Sequence, residues 1–288
     1  MTDPARPFDD AGPTPPPIPG AIPAPRPVAR WRWWVHLIVV GSYPLLGLVG
    51  RSIGNEASRG PVLSGRVAGL LLVCGIEVLV FCVFFLAAWL VSHASREELL
   101  LTWRPGWWVV PLGAGYSLAL RFALGVIAVV VMTVLAATHI ISTEKIQEYV
   151  KVNRPDVESM VSVPALRHDP AYYWLTLTLV SFVVAGLREE MWRSGTLAGM
   201  RALWPRAFGS RGGQCAAMAL IAIAFGAMHL RMGILAAIGA GLLGLMLGLI
   251  IVLHKSIWPA VIAHGLFDAT TFALLPWWIA ETRKLQGP

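Results

Sequence analysis

Seven long stretches of almost uninterrupted apolar sequence limit what this 288-residue chain can fold into. They cover residues 34–50, 67–91, 107–137, 172–187, 214–229, 233–253 and 257–275. A helix crosses a bilayer with roughly 20 apolar residues, whereas a membrane β-strand uses about 10 that alternate in polarity. The runs here do not alternate. Hydrocarbon offers the backbone no water, so its amides must be satisfied within each segment, as a helix does. Composition agrees, because 56% of residues are hydrophobic and only 14% charged, against about a quarter charged in soluble chains. Mean hydropathy is +0.66. The expectation is an all-α, polytopic transmembrane helix bundle of about seven to eight spans.

Three regions are expected. Residues 1–28 carry ten prolines, including Pro15, Pro16 and Pro17, and have no apolar pattern to bury. Such a tail is expected to be extended or disordered, and it lacks the charged start and short apolar core of a secretory signal. Residues 29–169 hold the first transmembrane helices and a polar connection, and residues 170–280 hold the last four apolar runs. The polar connection, 138–170, is expected to contain a short helix with Thr143 as its cap and Glu144 in its first turn. The third run is long for one upright span, so it either tilts and protrudes or breaks near residues 111–116.

The net charge of +7 does not point to nucleic acid. Lys and Arg cluster at segment ends, where they anchor helices and meet anionic lipid headgroups. Arg188, Arg193, Arg201, Arg206 and Arg211 place the 188–213 connection on the cytoplasmic side, with the N-terminus also inside. Cys74, Cys82 and Cys215 show no metal or disulfide spacing and read as small packing residues.

Against this apolar background, a few ionisable side chains stand out. Glu189 and Glu190 close the fourth run, His229 lies one turn after Phe225 in the fifth, and His264 and Asp268 share one face of the seventh at i, i+4 spacing. Ionisable groups in lipid are expensive, so they face a polar cavity or pair with one another. Arg188 and Arg193 are natural partners for the glutamates, although two charges at a span end also fit a helix reaching interfacial water. Glu77 in the second run and Arg121 in the third are expected to form an ion pair that locks two helices. Gly244-x-x-x-Gly248 suits close helix packing.

Taken together, two carboxylates, two imidazoles and a further carboxylate on three segments suit hydrolysis. A carboxylate and His229 can activate water, and His264 with Asp268 can stabilise a developing oxyanion. The same side chains are of the types that ligate zinc, although no His-Glu-x-x-His helix is present, and a metal-free mechanism fits equally.

The ordered set Glu189-Glu190, Phe225-x-x-x-His229 and His264-x-x-x-Asp268 resembles the three motifs of the CPBP intramembrane proteases, the CAAX protease and bacteriocin-processing family, which includes type II CAAX prenyl endopeptidases. The resemblance covers about residues 170–275. It implies a helical intramembrane endopeptidase whose cavity opens to one side of the membrane. Glu189 would be the general base aided by His229, Glu190 would support the site, and His264 and Asp268 would form the oxyanion side. The family has been described as a metalloprotease group, and a metal-independent glutamate mechanism has been argued as well. This chain departs from the family in two places. Arg193 stands one position before the usual arginine, where Ser194 falls, and Asp268 replaces a frequent asparagine. The expected substrate is a membrane-associated or prenylated peptide or protein, and the expected location a bacterial inner membrane. Two other readings stay open: a non-catalytic scaffold or immunity protein, and an ion-coupled transporter.

Overall fold

The computed structural model describes residues 28–53, 62–138, 142–153 and 155–285. Most of the proline-rich tail lies outside these residues. The long elements are α1 (Arg30–Ile53), α2 (Val67–Ser92) and α3 (Val109–Ala137), the last preceded by a 3₁₀ turn, Gly106–Trp108. The polar excursion holds α4 (Thr143–Val152) and α5 (Val163–His168). A single rod then runs from Pro170 to Leu203. It comprises α6 (Pro170–Leu175), a π-helical segment (Thr176–Leu187) and α7 (Arg188–Leu203). The short α8 (Pro205–Phe208) leads to α9 (Arg211–Met228), α10 (Ile234–His254) and α11 (Trp258–Leu285). No strand occurs among the described residues.

Six of these helices are long and apolar enough to cross a membrane, and α1 packs against α2 and α7 beside them. Large apolar side chains point outward, such as Leu72, Leu79 and Phe122 at 64%, 65% and 75% exposure. Water would penalise such a surface, and lipid does not. Tryptophans mark the two interfaces. Trp34 meets Trp204 at 5.1 Å and Trp103 meets Trp258 at 5.0 Å at one end, and exposed Trp174, Trp277 and Trp278 lie toward the other. The third span is continuous. Pro111 sits in the first turn of α3, where its missing N–H costs nothing, so no break occurs there.

Glycine sets the closest helix crossings. A Cβ on Gly226 would meet the Ala237 carbonyl at 2.7 Å, so α9 and α10 touch backbone to backbone. On α10, a Cβ on Gly248 would come within 3.0 Å of Met218, which fits the packing role expected from the Gly244-x-x-x-Gly248 spacing. On α11, a Cβ on Gly265 would collide with the Phe182 ring of the π segment at 2.3 Å.

The polar excursion folds back on the bundle. The Tyr172 hydroxyl accepts from the Ser162 N–H at 3.1 Å and lies 3.4 Å from the Leu63 carbonyl. Asp156 N–H donates to the Met232 carbonyl at 3.0 Å, which brings the excursion to the turn that follows His229. The cap of α4 differs by one residue from expectation. Ser142, not Thr143, accepts from Lys145 N–H. Ser142 holds the extended backbone that a cap needs, with ψ of 151°, whereas Thr143 is already helical. Hydrogen bonds from the Glu144 N–H and the Ser142 hydroxyl hold the Glu144 carboxyl below its usual range.

Two further sequence expectations fail here. The arginine-rich 188–213 stretch is largely helix interior rather than connection. Arg193 and Arg201 are buried, and Arg188 pairs within the bundle, so these three do not report on topology. Glu77 and Arg121 do not pair. Glu77 meets Arg188, and Arg121 reaches α11, where it donates to the Phe267 carbonyl and the hydroxyls of Thr270 and Thr271. Among the described residues the three cysteines form no disulfide, with Cys74 buried, Cys215 partly buried and Cys82 exposed on α2.

Candidate active site

Glu189 and Glu190 do not end a span. They lie in the first turn of α7, midway in sequence between Trp174 and Trp204, inside an unbroken 34-residue rod. Consecutive helical residues diverge by about 100°, and the two carboxylates accordingly have different surroundings. Glu190 is fully buried, and its Oε1 accepts both from Arg193 and, at 2.8 Å, from His264 Nδ1. Glu189 keeps 18% of its side chain exposed; its Oε1 accepts from Arg188 at 3.3 Å. Its Oε2 lies 3.9 Å from His264 Nε2 and 4.0 Å from Arg193 Nη2.

Arg193 is at 0% exposure among the largest fully buried side chains of the protein. It follows Glu190 at i+3, a spacing that puts both on one face. Its guanidinium lies 4.1 Å from the centroid of the Phe225 ring on α9, and a Cβ on Gly244 would stand 3.4 Å from its Nη2. Thus the early arginine of the first motif still reaches the second glutamate. Ser194, in the position after it, turns its hydroxyl to the Met191 carbonyl at 3.0 Å. Glu190 Oε2 and Arg193 Nε and Nη2 lack hydrogen-bond partners among the described residues. The pair lies in a slot shut off from solvent, at 0% side-chain exposure on both partners, which makes it costly to disturb.

His264 comes from the second turn of α11 and is 3% exposed. With Nδ1 committed to Glu190, its Nε2 faces Glu189 and also Asp268 Oδ2 at 3.6 Å. Asp268 follows one turn later and keeps 23% of its side chain exposed. The close Gly265–Phe182 contact and a similar one at Gly186, where a Cβ would stand 3.0 Å from the Val261 carbonyl, bring α11 against the rod. Those contacts place His264 within reach of both glutamates.

His229 closes α9. Its Nδ1 bonds the Phe225 carbonyl at 2.8 Å, and the ring packs on Phe225 at 4.6 Å. A carbonyl only accepts, so Nδ1 carries the proton and Nε2 is left to accept one or bind a ligand. Among the described residues no ion pair joins His229 to the glutamates or to Asp268, so it stands outside the directly contacting cluster. Four of the five expected residues (Glu189, Glu190, His264 and Asp268) therefore converge directly.

Zinc takes four ligands at about 2.0–2.2 Å for nitrogen and oxygen. Among the described residues, no group of three or more His, Cys, Asp or Glu side chains is arranged to hold a metal ion. The side chains are of suitable types but do not form a ligand set.

Sequence reasoning did not find the outer partners. Tyr43 of α1 lies 3.2 Å from Arg188 Nη1, and Glu77 of α2 accepts from the same nitrogen. Glu77 was conspicuous as the one acid of α2. Nothing in the local sequence says that its partner lies on α7 rather than α3.

Residues 171–270 match the family model described as type II CAAX prenyl endopeptidase Rce1-like. The match takes in the segments that carry all five candidate residues and leaves out α1 to α5. No curated protein and no solved structure matches the chain.

Proposed function

We propose that this integral membrane protein is an intramembrane endopeptidase that uses Glu189 to activate water. The observation that carries this reading is the different use of the two adjacent glutamates. Glu190 is fully buried, with Oε1 held by Arg193 and His264 and Oε2 shut off from solvent, so an attacking water has no access to it. Glu189 is held more loosely and is partly exposed. A general base must be both accessible and ionised.

In this mechanism, Glu189 takes a proton from water as the oxygen attacks the scissile carbonyl. The peptide oxygen becomes an oxyanion, and His264 donates to it from Nε2 when that nitrogen carries a proton. Glu190 fixes the His264 ring by accepting from Nδ1, and Asp268 Oδ2 lies 3.6 Å from Nε2. His229, with Nε2 available, accepts the proton from Glu189 or passes it to the leaving amine. The substrate must be locally extended, because a helix hides its carbonyls in backbone bonds. The matched family model supports a peptide or protein substrate. A prenylated or otherwise membrane-anchored segment, cleaved in a bacterial inner membrane, is the finer reading we adopt.

The test is profiling of protein N-termini in membranes that hold wild type or Glu189→Gln at equal abundance. New N-termini that depend on Glu189 are expected. Identical profiles from two folded proteins would remove the peptidase reading.

A further inference from the structure

The carboxylate assigned to water activation shares its arginine with a second carboxylate. Arg188 Nη2 donates to Glu189 Oε1 at 3.3 Å, while Nη1 donates to Glu77 Oε2 and stands 3.2 Å from the Tyr43 hydroxyl. The Arg188 side chain is 16% exposed, so water screens the group little. Tyr43 holds the assembly from the side. Its ring packs edge-on against Phe81 at 5.1 Å, and its hydroxyl donates to the Glu77 carbonyl at 3.4 Å. The far nitrogen Nε has no hydrogen-bond partner among the described residues. All of the guanidinium's recorded bonds are thus made by Nη1 and Nη2, to Glu77, Tyr43 and Glu189.

A guanidinium shared by two carboxylates divides its charge between them. If Glu77 lost its charge, the whole attraction of Arg188 would fall on Glu189. The two would close into a tight ion pair, and the oxygen lone pairs needed for water would be drawn to the arginine. Glu77 thus acts as a counterweight that keeps Glu189 only loosely held. A simple polar peg between α2 and α7 would need no particular partner beyond Arg188 and would leave Glu189 as it is.

We propose that Glu77 is a positioning residue which, through Arg188, keeps Glu189 free to act on water, so that α2 and α1 complete a site whose other residues lie in the matched segment. The proposal rests on the assignment of Glu189 as the base.

The test uses the full-length chain in lipid nanodiscs, labelled with a hydrophobic carbodiimide, which reacts with protonated carboxyl groups. Mass spectrometry of the peptide resolves Glu189 from Glu190. Glu77→Gln is expected to slow labelling of Glu189 several-fold and to leave Glu190 unchanged. Glu77→Asp, which keeps the charge, is expected to label close to wild type. In an Arg188→Gln background, Glu77→Gln should have no further effect, because the route of its action is gone. An unchanged Glu189 rate in folded Glu77→Gln, or an equal effect with and without Arg188, overturns the proposal. This readout does not depend on turnover. Where a cleaved peptide is in hand, Glu77→Gln should lower kcat by about tenfold with KM little changed. If wild type shows no Glu189-dependent cleavage, the base assignment fails while labelling still decides the coupling. Should Glu77→Gln not fold, Glu77→Met, which also removes the charge at similar side-chain length, takes its place in both comparisons.

Discussion

At the scale of single residues, the adjacent glutamates show how one turn of helix separates two roles. Glu190 and Arg193 are both at 0% side-chain exposure and hydrogen-bond directly. Removing one partner leaves a buried charge without compensation, which costs about 3–5 kcal/mol. Glu190→Gln is therefore expected to lower the unfolding midpoint of the purified protein clearly, whereas Glu189→Gln leaves it near wild type and removes cleavage. Thermal unfolding in detergent, read beside peptide cleavage, separates the two. Equal destabilisation by both substitutions would contradict the division of labour. Residue types and motif spacing were enough to pick out the glutamates, His264 and Asp268, since ionisable side chains in apolar runs are conspicuous. The sequence offered Arg193 as a partner for the glutamates, but not that, one position early for the family pattern, it settles on Glu190 at i+3. That contact depends on the dry slot made by Phe225 and Gly244, two residues from other helices.

At the scale of elements, the site is assembled by close packing of α7, α9, α10 and α11. Gly244 is where α10 makes room for Arg193 and Phe225. A Cβ there would stand 2.9 Å from Phe225 Cδ1. On the same helix, a Cβ on Gly239 would meet nothing within 4 Å. Gly244→Ala is expected to destabilise the protein by about 1–3 kcal/mol, as overpacked interiors do, and to slow cleavage by disturbing Arg193. Gly239→Ala should be near neutral in both respects. Unfolding midpoints and cleavage rates of the two variants check this, and equal behaviour would show that Gly244 has slack the packing does not suggest. The π-helical segment is the element least legible in advance. Its apolar run reads as ordinary helix, yet Ser181 Oγ reaches back five residues to the Thr176 carbonyl at 2.9 Å. Such wide turns are rare and occur mostly as single-turn bulges at functional sites. Here the wide register runs up to Arg188, so a face count based on 3.6 residues per turn misjudges where Glu189 and Glu190 point.

At the scale of the whole molecule, the arrangement is a lipid-facing shell around a small charged centre. The polar excursion and α1 to α3 pack against the segments that hold the candidate residues. The tail, residues 1–27, falls outside the described structure. The five candidate residues lie between positions 189 and 268, far from it in sequence. Removal of residues 1–27 is expected to leave membrane insertion intact and Glu189-dependent cleavage within about twofold of wild type, a change worth under 0.5 kcal/mol of barrier. A folded truncation without activity would show that the tail takes part in substrate handling.

The sequence by itself determined the class of this protein. A run of about 20 apolar residues in lipid has to satisfy its own backbone, which makes helices unavoidable. It also determined which residues are candidates for chemistry, because charge in such runs has to be compensated or used. Only the tertiary structure decided which charge meets which. Glu77 and Arg121 looked like partners for each other, and each went elsewhere, to α7 and α11. Pairing across helices depends on their relative rotation and depth and on the reach of long side chains. Those are properties of packing between distant segments, which the spacing of residues along one chain does not encode.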